Sequence, residues 1–126
     1  MYKYADLLGR ILISFMFITS GFHKLTGYAE TAGYMASQGV PAMLLPLVIL
    51  TELGGGLMVL LGFKTRVAAF ALGGFCVLAA LLFHYHPGDM MQMLNFQKNL
   101  AIAGGFLFLV ANGAGPLSFD RKWGKA

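Results

Sequence analysis

Four apolar runs, roughly Leu7 to Phe22, Met43 to Leu61, Val67 to Phe83 and Asn99 to Ala111, decide what this chain can fold into. Tyr4 and Ala5 extend the first run and Asn112 to Leu117 extend the last, giving about 17 to 20 residues each, enough for a helix to cross a bilayer. The expected spans are residues 5–23, 43–62, 66–84 and 98–116, within a single transmembrane domain covering 1–126. The expected fold is an all-α polytopic membrane protein: an antiparallel four-helix bundle with a short interfacial helix in its first outer loop. Charged residues make up 11% of the chain and apolar ones 58%, against about 25% charge in a soluble domain. A soluble globule is therefore excluded. Four spans use roughly 72 to 80 residues, so no room remains for a separate catalytic domain.

The alternative reading of the first run is a secretory signal peptide, with Lys3 and Arg10 as its basic region. Ser20-Gly21-Phe22 makes a poor cleavage site, and three more apolar runs follow. Cys76 is the single cysteine, which excludes an intrachain disulfide, a Cys-x-x-Cys couple and the usual thiolate zinc sites. The turn Gly62-Phe63-Lys64-Thr65-Arg66 is short enough to demand a hairpin, with Thr65 as N-cap of the third helix. Lys3, Arg10, Lys64, Arg66, Arg121, Lys122 and Lys125 fall on one side of the bundle, and Lys24 and Lys98 on the other. By the positive-inside rule both termini are expected in the cytoplasm. Trp123 with Arg121 and Lys122 then reads as an inner interfacial anchor. Tyr28 to Gln38 reads as a short interfacial helix stopped at Gly39-Val40-Pro41, and Pro46 suits the first turn of the second span. His84 to Gln97 reads as the third loop, with a turn at Pro87-Gly88-Asp89.

Ionisable groups at bilayer depth cost about 2.5 to 3.5 kcal/mol each on insertion scales and usually face the protein interior. Arg10, Ser14, Phe17, Gly21 and Lys24 share one face of the first helix. Glu52 lies about 12 Å inside the second span at about 1.5 Å per residue and shares a face with Gly55, Gly56 and Val59. In the third helix, Arg66, Phe70, Gly73, Val77, Ala80 and His84 form the expected inward stripe. Lys98, Ile102, Gly105, Leu109 and Asn112 form it in the fourth. If all four stripes point inward, Lys24, Glu52, His84, Lys98 and Asn99 gather in the outer half as a pocket roofed by the interfacial helix.

Each of these residues also has a structural reading. Glu52 could be a packing clasp, neutralised by a proton or by Lys98, Lys24 or Arg10. Arg10, Lys24 and Arg66 could snorkel to headgroups, and His84 and His86 could form a wet interfacial pair. Gly54 to Gly56 suits close helix packing, since the strand and loop of a phosphate cradle are absent. Haem held between His23 and His84 is disfavoured. A metal on Glu52, His84, His86 and Asp89 is disfavoured too, because these residues lack a recognised spacing and differ in depth. Quinone chemistry suits the pocket better: reducing a quinone carbonyl requires protons, which a buried carboxyl beside a histidine can deliver. Glu52 and His84 are the catalytic candidates, and Arg10, Lys24, Glu52, His84, Lys98 and Asn99 the ligand-binding ones, for a quinone or a small sulfur-containing anion. Because nothing in the chain carries electrons, a redox role needs a bound cofactor or a partner subunit. Lipid is the certain partner, redox proteins and further copies of the chain are compatible partners, and nucleic acid is not expected.

The segment Gly9-Arg10-Ile11 through Phe22-His23-Lys24-Leu25, then Gly39-Val40-Pro41, Glu52-Leu53-Gly54-Gly55-Gly56, Leu61-Gly62-Phe63 with Thr65-Arg66, and Phe96-Gln97-Lys98-Asn99-Leu100 resemble the DoxX family of small four-helix bacterial inner-membrane proteins. The resemblance covers nearly the whole chain. It implies a four-helix bundle in the cytoplasmic membrane. The family takes its name from a subunit of an archaeal terminal quinol oxidase, which implies a link to quinone and thiosulfate electron transfer and, in some members, to oxidative-stress partners. By this resemblance Arg10, Lys24, Glu52, Arg66, Lys98 and Asn99 stand at the family's polar motif positions. A non-catalytic membrane scaffold and a small-solute pathway remain the alternative functions.

Overall fold

The computed structural model describes residues 3–122; Trp123 and Lys125 of the expected inner-side set lie outside the described residues. The helices are α1 (Lys3–Thr26), α2 (Tyr28–Ser37), α3 (Ala42–Leu61), α4 (Thr65–His84), α5 (Met90–Asn112) and α6 (Phe119–Lys122). Of these, α1, α3, α4 and α5 are long and apolar enough to cross a membrane. A helix satisfies every mid-span N–H and C=O internally, which hydrocarbon demands.

Between α1 and α3 the contacts pair rising with falling residue numbers. Arg10 meets Val59 and Leu60, Ile18 meets Gly56, and Gly21 meets Leu53. The same reversal joins α4 to α5, with Gly73 against Phe106 and His84 against Gln92. Small residues allow the closest approaches. A Cβ at Gly21 would lie 2.7 Å from Leu53 Cγ, and one at Gly56 2.9 Å from Ile18 Cγ1. Phe17, Val59, Leu72, Cys76 and Phe106 fill the centre, with Phe17 and Phe106 edge to face at 5.4 Å. A second cluster of Met35, Val40, Leu45 and Ile49 seats α2 on the end of α3. After α2 the chain turns through Gly39 at φ +77°, a left-handed conformation that glycine adopts without strain, and Pro46 sits in the first α-helical turn of α3, after its opening 3-10 turn at Ala42–Leu44.

The buried stripe of α1 is the expected one: Arg10, Ser14, Phe17 and Gly21. In α3 it includes Glu52, Gly56 and Val59. The expected phase of α4 is corrected. Thr65, Ala68, Ala69, Leu72, Cys76 and Ala80 are buried, whereas Arg66, Val77 and Phe70 are exposed, the last to 72%. Between Arg66 and His84 this helix has no charged or hydroxyl side chain to mark its inward face. The inward face of α5 centres on Ala103 and Phe106, leaving Lys98 and Asn112 exposed. This helix also begins at Met90, eight residues before the expected start of the span, because Asp89 caps it by accepting from the Gln92 amide at 3.3 Å. Met90 to Gln97 is therefore helix, and the third loop shrinks to residues 85–89.

Two helices widen locally into π-helical turns, α3 at Leu50–Gly54 and α4 at Ala80–His84. At the opposite end of the bundle the segment after α5 folds back over the α3–α4 turn. Asp120 accepts from the Lys64 and Thr65 amides at 2.6 and 2.8 Å, and its own amide donates to Gly62 O at 2.8 Å. The N-cap of α4 is thus supplied by Asp120, 55 residues away in sequence, and not by Thr65, which is buried. The Asp120 carboxylate also complements the positive end of the α4 dipole.

Candidate functional site: a cavity around a buried ion pair

A cavity of about 300 Å³ lies where α1, α3, α4 and α5 meet beneath α2. Its polar lining comes from Ser20, Lys24, Thr31, Tyr34, Glu52, His84 and Asn99. Glu52 is 97% buried, being only 3% exposed, and its Oε1 stands 2.7 Å from Lys24 Nζ. Lys24 sits one turn beyond Ser20 and donates to the Ser20 hydroxyl at 2.7 Å. A buried carboxylate needs such a partner, because an uncompensated charge in this interior costs several kcal/mol. His84 Nδ1 lies 2.8 Å from Gln92 Oε1. With the amide oxygen as acceptor, Nδ1–H is the donor of this contact, and the neutral imidazole then presents Nε2 as an acceptor. Tyr34 of α2 stacks on Phe83 at 5.5 Å and closes the roof.

Glu52 and His84 occupy the two π-helical turns. Such a turn holds an extra residue and rotates the side chains that follow it, a device frequent at functional sites. The structure therefore brings together Lys24, Glu52, His84 and Asn99 from the expected set. It does not bring Arg10, whose guanidinium donates to Val59 O at 3.1 Å, Leu60 O at 2.9 Å and Leu117 O. Arg10 is 1% exposed at the far end of α1, neither snorkelling nor lining the cavity. Lys98 is exposed and absent from the lining, so the partner of Glu52 is Lys24. His23 does not line the cavity either, and His86 lies in the exposed loop. Among the described residues no group of three His, Cys, Asp or Glu side chains could hold a metal.

Sequence reasoning missed Ser20, Tyr34 and Cys76 in the lining. A signal for two of them was present: Ser20 is four residues before Lys24, and Cys76 is two four-residue steps before His84, so each shares a helix face with a polar neighbour.

Four lipid-compatible helices around a roofed cavity with an internal ion pair define a polytopic membrane protein with a polar cavity between its spans. The DoxX family model matches residues 5–85, which carry Lys24, Glu52 and His84. Inner membrane protein YqjF of Escherichia coli is 50% identical over 121 residues, covering 93% of this chain and 93% of its own. Inner membrane protein YphA of the same organism is 37% identical over 123 residues, covering 92% and 88%. The chain belongs to the DoxX family and is an integral, multi-pass inner-membrane protein. No solved structure matches it.

Proposed function

We propose that the cavity binds the oxygen-bearing ring of a quinone or quinol, so that the protein serves as a quinone-binding subunit of a redox assembly. The observation that carries this reading is a carboxylate 97% buried in a cavity shared with Lys24, His84 and Asn99. Each electron added to a quinone carbonyl is accompanied by one proton at the ring oxygen. Glu52 and His84 are the groups that hold or release that proton, and Lys24 and Asn99 donate to the second oxygen. The electrons come from a partner redox protein. A small sulfur-containing anion suits the site less well, since Glu52 already neutralises the charge of Lys24. A solute pathway through the bundle is disfavoured because Phe17, Val59 and Phe106 fill its centre. The single transmembrane domain is taken to sit with both termini in the cytoplasm, which puts the cavity toward the outer face.

The test is calorimetric titration of trimethylhydroquinone into the protein in nanodiscs. Glu52→Gln keeps the shape and removes the charge, so binding is expected to weaken by about tenfold or more. Unchanged binding would overturn the reading. The ion pair itself also supports a second reading, a purely structural clasp between α1 and α3. Under the clasp reading, Lys24→Met combined with Glu52→Gln restores the stability lost in Lys24→Met, and the wild type takes up no hydroquinone.

A further inference from the structure

A second cavity of about 400 Å³ lies beside the first, between α3 and α4. Apart from Thr51, whose hydroxyl donates to Leu47 O at 2.8 Å, its own walls are apolar, among them Leu47, Phe70, Gly74, Leu78 and Leu82, all on the exposed side of the bundle. Met35, Val48, Phe75, Ala79 and Phe83 line both cavities, so the groove and the polar pocket meet across these side chains. At the polar end Lys24 engages Oε1 of Glu52, and the other carboxylate oxygen meets no donor among the described residues. One end of the combined space thus offers an acceptor and paired charge of no net sign; the other offers hydrocarbon and opens sideways.

We infer that the two cavities form one site for a single-tailed membrane amphiphile: an uncharged head bearing a hydroxyl or carbonyl seats beside Glu52 and Lys24, and the tail lies in the groove between α3 and α4. This rests on the reading that the polar pocket holds the head. A headgroup with a hydroxyl donates to the open oxygen of Glu52, and a carbonyl accepts from Asn99 or Lys24. A phosphate-bearing head would set its negative charge against the Glu52 carboxylate with Lys24 already engaged, which argues against a phospholipid as the occupant. Groove and bilayer are both hydrocarbon, so the tail gains little by transfer. The groove acts by shape: it admits a ligand from within the membrane and aims its head at the ion pair.

Gly74 separates the two ideas experimentally. It lines the groove and not the polar pocket, and a Cβ placed there meets nothing within 4 Å, so Gly74→Phe fills the groove without disturbing the ion pair. Wild type and variant are titrated with trimethylhydroquinone and with a decyl-substituted hydroquinone in nanodiscs of one phospholipid, so that partitioning cancels between the two proteins. Gly74→Phe is expected to weaken the decyl probe by about tenfold or more while trimethylhydroquinone stays within about twofold. Retention of trimethylhydroquinone also reports that the variant is folded; if it is lost, Ala71→Phe on the same wall replaces it. If both probes bind both proteins alike, the groove is not part of the site and the pocket reading stands. Loss of only a co-purifying phospholipid from the variant overturns the inference in the same way, the groove then being a lipid seat. If neither probe binds the wild type, the pocket reading fails and the inference with it.

Discussion

Arg10→Leu is expected to destabilise the protein by about 3 kcal/mol or more, since each buried carbonyl left without a donor costs about 1 to 3 kcal/mol. The leucine would take the Arg10 donor from the carbonyls of Val59 and Leu60 at the C-terminal end of α3 and from Leu117 O in the returning segment, leaving Val59 O only the Gly62 amide at 3.2 Å. The Val59 and Leu60 carbonyls carry the negative end of the α3 dipole, and the guanidinium that caps them is itself only 1% exposed. The loss should also release the segment at residues 113–122, because Arg10 and Asp120 together pin it over the α3–α4 turn. Thermal unfolding in detergent reports the first effect, and limited proteolysis within 113–122 the second. Arg10→Lys should recover only part of the stability, since an ammonium lacks the planar fork that spans three carbonyls. Wild-type stability in Arg10→Leu would contradict the assignment of Arg10 as a capping residue.

Gly21→Leu is expected to have the next largest effect and to couple packing to function. A Cβ at Gly21 falls 2.7 Å from Leu53 Cγ, 3.1 Å from the Leu53 amide and 3.3 Å from Glu52 Cβ. The Leu53 side chain can turn aside, but the backbone amide cannot, so α1 must move away from α3 at the level of the ion pair. Overpacking of this kind costs about 1 to 3 kcal/mol. The Lys24–Glu52 contact crosses the same seam, so hydroquinone binding should fall together with the melting temperature. Gly9→Leu is the control: its Cβ meets nothing within 4 Å, and its stability and binding should match the wild type. Binding that survives Gly21→Leu would show that the site does not need the α1–α3 seam.

The legible parts of the fold were those that polar residues mark against an apolar background. In α1 a cation at each end of the buried face fixed the phase, and the structure buries Arg10, Ser14, Phe17 and Gly21 as that face requires. Glu52 did the same for α3. Helix α4 has no such mark between Arg66 and His84, and its inward face was misjudged by about one residue, so Cys76 went unnoticed. The start of α5 was hidden because Met90 to Gln97 mixes methionine with amides and reads as loop until Asp89 is recognised as a cap. The two π-helical turns left no trace in the periodicity, yet they aim Glu52 and His84. The partner of Glu52 was underdetermined for a similar reason: Lys24, Lys98 and Arg10 lay within plausible reach along the helix axes, and only packing chose Lys24. Arg10 was the opposite case, a charge whose role as a distant cap depends on where residues 113–122 return.

The cavity around Lys24 and Glu52 is expected to hold a ligand in the living membrane. Native mass spectrometry of the protein released directly from its own membranes, beside its Glu52→Gln variant, tests this most directly. The wild type should carry an adduct of quinone or quinol mass that the variant lacks. A wild type that arrives carrying only phospholipid, indistinguishable from the variant, would contradict the account and leave the Lys24–Glu52 pair as a fastener between two helices.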